Sequence, residues 1–216
     1  TYPPYGKRIL MDNHWFRTVT RDDVSLVTDP IERITPKGVL LRTGEELEFD
    51  VIVLASGFET SKMVWPMEVR GRGGQTLRGL WGDDDAQAYL GIAIPGFPNL
   101  FCMYGPNTNL GHGGSIIFVA ECQARYIMGC VTHMLDEGLD ALEVRQDVFS
   151  DYIRRLDEGH ACLIWSHKGM DTWYRNKHGR VVSILPWRLV DYWRITERVN
   201  PDDYVAGQRS AVGAAR

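Results

Sequence analysis

Two apolar runs and the glycine-rich segment between them narrow most what this chain can fold into. Asn99-Leu100-Phe101-Cys102-Met103-Tyr104 reads as a buried strand. Gly105-Pro106-Asn107-Thr108-Asn109-Leu110-Gly111-His112-Gly113-Gly114-Ser115 reads as a loop, and residues 116–135 as a long helix that starts near Ser115. Strand, glycine-rich loop and helix in that order leave free backbone N–H groups at the positive end of a helix dipole, which suits an anionic or electron-rich ligand. The glycines at 111, 113 and 114 let a flat or phosphate-bearing ligand reach the backbone, because no Cβ stands in the way. One anionic contact at a helix N-terminus contributes roughly 0.3 to 1 kcal/mol, and up to about 2 when partly buried. The same residues serving only to reverse the chain are the alternative reading.

The other segments supply an α/β context. Residues 24–27, 31–34 and 39–41 are short β-rich runs broken by Asp29-Pro30, Pro36-Lys37-Gly38 and Thr43-Gly44, the pattern of a meander. Residues 49–55 are nearly all apolar and end in Ser56-Gly57, which predicts a strand buried on both faces of a parallel sheet. Residues 61–85, rich in Gly, Arg and Asp, read as an irregular surface insertion, with Asp83-Asp84-Asp85 a solvated turn. The long helix is apolar almost all round, with Glu121 and Arg125 as an i,i+4 pair, and is expected inside a domain. Gly138 is placed to end it, residues 141–144 fit a short strand, and Asp147 can cap a second helix running to Leu156. Trp165, Trp173, Trp187 and Trp193 punctuate an aromatic extension, and residues 206–216 read as a mobile tail.

Composition excludes several function classes. With 24 Lys+Arg against 28 Asp+Glu and a net charge of -4, the chain has no basic stripe for nucleic acid. No run reaches the length of a membrane helix. Cys102, Cys122, Cys130 and Cys162 form no C-x-x-C pair and read as reduced, mostly buried thiols of a cytoplasmic protein; His160 and His167 lack metal-ligand spacing. Ser56 and Ser115 have no His and carboxylate pattern that would make either a nucleophile. Tyr2-Pro3-Pro4-Tyr5-Gly6-Lys7-Arg8 reads as a loop entering mid-protein, so an upstream segment is expected.

Asp50-Val51-Ile52-Val53-Leu54-Ala55-Ser56-Gly57-Phe58 resembles the D-V-I-V-L-A-T-G-F segment of flavin-containing and Baeyer-Villiger monooxygenases, with Ser56 in place of Thr. Ala88-Tyr89-Leu90-Gly91-Ile92 and the segment from Pro95-Gly96-Phe97-Pro98 through Gly105-Pro106-Asn107-Thr108-Asn109 are similar to the 4-hydroxyacetophenone monooxygenase branch. Glu121-Cys122-Gln123-Ala124-Arg125-Tyr126 resembles the E-x-Q-A-R-W/Y helix motif, and Asp171-Thr172-Trp173-Tyr174-Arg175-Asn176 with Gly179-Arg180 its S/T-W-Y-x-N, G-R element.

The resemblance implies the C-terminal part of a two-dinucleotide, Rossmann-like flavoprotein with a β-meander and a helical C-terminal extension. Residues 1–60 would be the end of an NADP-binding domain with return strands, 61–98 an insertion, 99–145 the C-terminal part of the FAD-binding domain, 146–205 the extension and 206–216 the tail. It further implies an enzyme in which NADPH reduces FAD and a C4a-peroxyflavin formed with O2 inserts oxygen into a ketone or aromatic carbonyl substrate; oxidation of nitrogen or sulfur is the alternative. Asn109, Leu110 and Gly111, His112, Gly113, Gly114, Ser115 would lie against the isoalloxazine. Ala55, Ser56, Gly57 and Phe58 would line the FAD side of the nucleotide cleft, and Trp173 would approach NADP.

Three departures accompany it. No G-x-G-x-x-G opens a helix, the F-x-G-x-x-x-H-x-x-x-W-P signature is absent, and the resemblance puts the active-site Arg of the family upstream of Thr1. No catalytic residue is therefore assigned, and the chain alone is expected to be incomplete and inactive. A non-catalytic binding module of the same fold is the competing reading. A disulfide reductase is disfavoured by the missing C-x-x-C.

Overall fold

The computed structural model describes residues 3–8, 11–111 and 113–208, so His112 and residues 209–216 of the expected tail lie outside the described residues. The chain divides into two compact units, Ile9–Phe58 on the one hand and Thr1–Arg8 with Glu59–Arg216 on the other. Among the described residues no helix is long and apolar enough to cross a membrane, and no group of His, Cys, Asp and Glu is arranged to hold a metal ion.

The smaller unit carries the meander: α1 (Trp15–Val19), then β1 (Ile31–Ile34), β2 (Gly38–Leu41) and β3 (Glu46–Glu48), antiparallel in that order. Thr35 Oγ1 accepts from Gly38 N at 3.0 Å, which fixes the β1–β2 turn where the Pro36-Lys37-Gly38 cluster predicts one. The first expected strand, residues 24–27, is irregular. The buried strand expected at 49–55 is also not formed: Val51, Val53 and Leu54 are 76, 82 and 75% exposed. A parallel strand needs neighbours on both edges and cover on both faces, and no described strand pairs with this run.

In the larger unit α3 (Ile116–Asp136) packs on β4 (Leu139–Val144), which pairs antiparallel with β5 (Tyr204–Gln208), and α4 (Gln146–Ala161) follows β4. α2 (Leu77–Trp81) is a short helix that precedes this core in sequence, and α5 (Leu189–Ile195) is a short helix between α4 and β5. Leu90, Ile92, Tyr126, Leu142, Val144, Tyr152, Leu156 and Tyr204 are buried against one another, so stretches on both sides of α3 share one core.

Several local expectations are corrected. The run at 99–104 forms no regular strand: it has one bridge, Phe101 with Ala93, and separate bonds such as Cys102 N donating to Ile92 O at 2.8 Å, because turns on both sides leave it too short to propagate a ladder. The segment 61–85 contains α2, whose Leu77 and Trp81 pack with Ala86, Ala88, Ile94 and Phe97 in a core of their own. Asp84 and Asp85 are not a solvated turn. Asp84 Oδ2 accepts from Lys177 N at 2.9 Å, and Asp85 Oδ1 accepts from Asn176 Nδ2 at 3.1 Å and from Arg180 Nη1 at 3.2 Å.

α3 buries one face only, through Val119, Cys122, Gln123, Tyr126 and Cys130, while Ile117 and Leu135 stay exposed. Arg125 turns to Trp193, donating to its carbonyl at 3.2 Å with the guanidinium 5.3 Å from its ring. Asp147 stands in the first turn of α4 and pairs with the N-cap residue Arg145, and α4 runs on to Ala161. Residues 206–208, expected in the tail, belong to β5, because β4 offers them a ladder that the sequence alone does not reveal. Cys122 and Cys130 are buried, Cys102 is half-buried and Cys162 is exposed.

Candidate functional site

The site forms where the glycine-rich loop meets α3. Asn107 and Thr108, 1% and 0% exposed, anchor its first half. Asn107 Nδ2 donates to Val181 O at 2.9 Å and Ile184 O at 3.2 Å, and its backbone N–H donates to Val182 O. Asn109 N donates to Ser183 O, and Leu185 N returns a bond to Asn109 O, so the loop is stitched to residues 182–185 by a parallel bridge. Thr108 also explains a glycine upstream: at Gly91 a Cβ would lie 2.1 Å from Thr108 Cγ2.

The second half of the loop is the mouth of α3. Ser115 Oγ caps the helix by accepting from Ile117 N at 3.2 Å, the start that the sequence predicts. Gly113 and Gly114 have φ of 58° and 88°, and a Cβ on Gly113 would meet nothing within 4 Å. At Gly111 a Cβ would stand 2.8 Å from the Trp165 ring. Leu110, Gly111 and Gly113 open on a cavity of about 880 Å³, walled by Leu163, Ile164, Trp165, Leu185, Trp187 and Leu189 with Tyr5 at its side. Apolar walls beside a glycine-lined backbone suit a flat aromatic ligand.

A cation stands over this loop. Arg8 Nη2 donates to Leu110 O at 2.9 Å and to Asn109 Oδ1 at 3.2 Å, and Arg8 Nε donates to Tyr174 OH at 3.0 Å. Its guanidinium lies 5.9 Å from the Trp173 ring, and Trp173 packs against Tyr174 at 4.3 Å. Asn109 Oδ1 also accepts from Tyr104 OH at 2.7 Å. Burial pushes the Tyr104 phenol above its ordinary range, with the Leu110 backbone and Arg8 pulling the other way. Arg8, near the start of the sequence, thus reaches the loop from about a hundred positions away.

Of the residues singled out from the sequence, Asn109, Leu110, Gly111, Gly113, Gly114, Ser115 and Trp173 come together here. Ala55, Ser56, Gly57 and Phe58 belong to the smaller unit, in an exposed extended segment without strand pairing. Sequence reasoning missed Arg8, Tyr104, Trp165, Tyr174 and Trp187. For Arg8 there was no signal, because an arginine in a Pro- and Gly-rich loop ordinarily faces solvent. For Asn107 there was one: an amide flanked by Pro and Thr in a loop of small residues tends to bind its own backbone.

No family model matches the chain. It is 46% identical over 204 residues to an uncharacterized monooxygenase of Sinorhizobium fredii, a match that covers 94% of this chain and 31% of that protein. It is 33% identical over 191 residues to a Baeyer-Villiger monooxygenase of Pseudomonas aeruginosa, covering 85% of this chain and 35% of that one. A FAD-binding monooxygenase of Aspergillus niger is 31% identical over 97% of this chain and 35% of its own length. Among solved structures, cyclohexanone monooxygenase from Rhodococcus sp. bound to NADP+ superposes with a TM-score of 0.80 at 27% identity, covering 95% of this chain and 40% of that chain. Steroid monooxygenase bound to NADP gives 0.79 at 25% identity, over 94% and 39%. The chain therefore spans about a third to two fifths of the length of these relatives.

Proposed function

This chain is a relative of the flavin-dependent monooxygenases of the Baeyer-Villiger type, and from that premise we propose that it supplies one wall of a flavin site at which an oxygen atom of O2 is inserted into a ketone. The observation that carries the reading is the glycine-lined mouth of α3, open to an apolar cavity and held under the Arg8 guanidinium. At Gly111 and Gly114 the place of a Cβ is filled by Trp165 and Leu189, whereas Gly113 faces open space, so it is at Gly113 that the backbone can lie against a flat ring.

Bound FAD would supply oxygen activation at its C4a carbon, and NADPH the reducing equivalents. In this reading Asn109, Leu110 and the Gly111 to Ser115 turn contact the isoalloxazine. The helix dipole and Arg8 would favour negative charge on an electron-rich ring held at this mouth. Trp173 contacts NADP, and Ala55 to Phe58 contact FAD. Tyr174 and Asn109 act as positioning residues, since each holds Arg8 by a hydrogen bond.

The test is a pair of measurements. Protein that retains FAD, consumes O2 with NADPH and turns a ketone into an ester supports the reading. Arg8→Ala should keep the flavin absorbance yet lose ester formation by roughly 100-fold or more, the scale of removing one donor from an anion-stabilising site. An Arg8→Ala variant with undiminished ester formation would overturn the assignment of Arg8. Colourless protein that takes up no added FAD would favour the second reading, a non-catalytic module of the same fold. The absence of any G-x-G-x-x-G in this sequence is the observation on that side.

A further inference from the structure

Trp187 is a wall of two cavities. One is the cavity at the mouth of α3, and the other, of about 610 Å³, is lined by Tyr89, Leu90, Tyr152, Trp187 and Asp203 among others. From Trp187 a file of aromatic rings runs along the second cavity in edge contact. The ring centroids stand 5.6 Å apart from Trp187 to Tyr152, 5.3 Å from Tyr152 to Tyr89 and 6.4 Å from Tyr89 to Tyr204. Such contacts stabilise a core. They also place oxidisable rings within easy electron-transfer distance of one another.

The hydroxyl partners differ along the file in a way that packing does not require. A phenol that loses an electron must also lose its proton, so it yields the electron readily only where a base stands on its oxygen. The Tyr152 hydroxyl is buried with no partner, whereas Tyr89 OH donates to the Asp203 carboxylate, Oδ2, at 2.8 Å. Tyr174, which packs on Trp165 at 4.9 Å, has a hydroxyl that accepts from Arg8, and among the described residues no base accepts its proton. That second file is a dead end for holes.

We propose that Trp187, Tyr152 and Tyr89 form a relay that carries one-electron oxidising equivalents out of the cavity at the mouth of α3 and deposits them beside the second cavity. The oxygen-using reading above supplies only hydrogen peroxide, which takes one electron from a reductant of the ascorbate class and a proton to give water and a radical of the hydroxyl class, the oxidant; the relay itself does not depend on it. The oxidant takes one electron from the Trp187 indole and, with a proton from solvent, leaves as water. The indole radical cation regains its electron from Tyr89 across the Tyr152 ring. As Tyr89 is oxidised, its phenolic proton passes along the existing hydrogen bond to Asp203, which leaves a neutral phenoxyl radical and a protonated carboxyl. A small reductant of the ascorbate or thiol class in the second cavity returns a hydrogen atom to Tyr89, and Asp203 releases its proton to solvent.

The exposed Cys162 makes this testable. It precedes Leu163, Ile164 and Trp165 on the wall of the first cavity, while Cys122 and Cys130 are buried and burial pushes the half-buried Cys102 thiol up to about 11. A thiol-reactive ruthenium polypyridyl on Cys162, flashed with a cobalt(III) electron acceptor, generates a one-electron oxidant at the first cavity. Electron paramagnetic resonance should then show a neutral tyrosyl radical that forms more slowly in D2O. Tyr89→Phe should abolish it, Trp187→Phe should delay it, and Asp203→Asn, which keeps every ring in place, should leave a tryptophan radical instead. An unchanged tyrosyl signal in Tyr89→Phe, or unslowed formation in Trp187→Phe, overturns the relay. A relay that works in protein without flavin or oxygen chemistry sinks the oxygenase reading alone, and flavin chemistry without the radical sinks the relay alone.

Discussion

At Gly114 the backbone φ is 88°, and a Cβ would stand 2.5 Å from Leu189 Cδ1. Gly114→Asp adds strain, a clash and a negative charge where an electron-rich ring is proposed to sit, so FAD retention after gel filtration, read by absorbance, should fall relative to the parent protein. Unchanged flavin occupancy would remove Gly114 from the site. His160, 3% exposed, lies with Nε2 3.4 Å from Asn107 Nδ2, and burial depresses its pKa to about 4, with Asp157 opposing the shift. A depressed histidine binds its proton less well folded than unfolded, so stability is full above about pH 6.5 and declines as pH falls toward about 4. Melting temperature should drop across that window by the equivalent of about 3 kcal/mol at most, and His160→Gln should flatten the drop; an identical pH profile in the variant would refute the linkage. The Gly114 effect is expected from the glycine-rich loop in the sequence, and the structure adds the clash with Leu189; the burial of His160 is not readable there. His160 continues the face of α4 that carries Tyr152 and Leu156, but nothing local shows that Asn107 and Ile184 will meet it there.

α3 shows what a helix inherits from its pattern and what its neighbours add. The Ser115 cap and the end near Gly138 were legible because they depend on local backbone geometry. Which face is buried was not, since exposed Ile117 and Leu135 look as apolar as buried Val119 and Cys122. The decisive side chain is a polar one. Gln123, fully buried, accepts from Tyr104 N at 2.6 Å and donates to Tyr192 OH at 3.0 Å, and Tyr192 OH donates to Leu90 O at 2.7 Å. One amide thereby ties α3 to the start of the glycine-rich loop and to α5. Gln123→Leu strands the Tyr104 N–H and should lower stability in urea unfolding by about 1 to 3 kcal/mol, a larger loss than at exposed Ala124→Ser. Equal losses at the two positions would mean that the amide does not hold these elements together.

Over the whole molecule the two units differ in how much they bury. The larger has a shared core running through α3, β4, α4 and β5, whereas in the smaller, among the described residues, only Val39 and Leu41 are buried large apolar side chains. Amides of β4 and of the middle of α3 should therefore exchange slowest with deuterium, and those of residues 49–58 fastest, as hydrogen exchange with mass spectrometry can read. Protection at 49–58 equal to that of β4 would contradict this ordering. The sequence by itself determined two of the three meander strands, the long capped helix, the glycine-rich loop before it and the resemblance to flavin-dependent monooxygenases, because these rest on spacing and turn chemistry within a few residues. Only the tertiary structure decided that Arg8 stands over Asn109 and Leu110, that Trp165 and Trp187 wall the cavity, and that Asp85 reaches Arg180. Those contacts join residues about a hundred positions apart or a single chosen face of a helix, and hydrophobic burial, which has no direction in sequence, selects them only when the chain closes on itself.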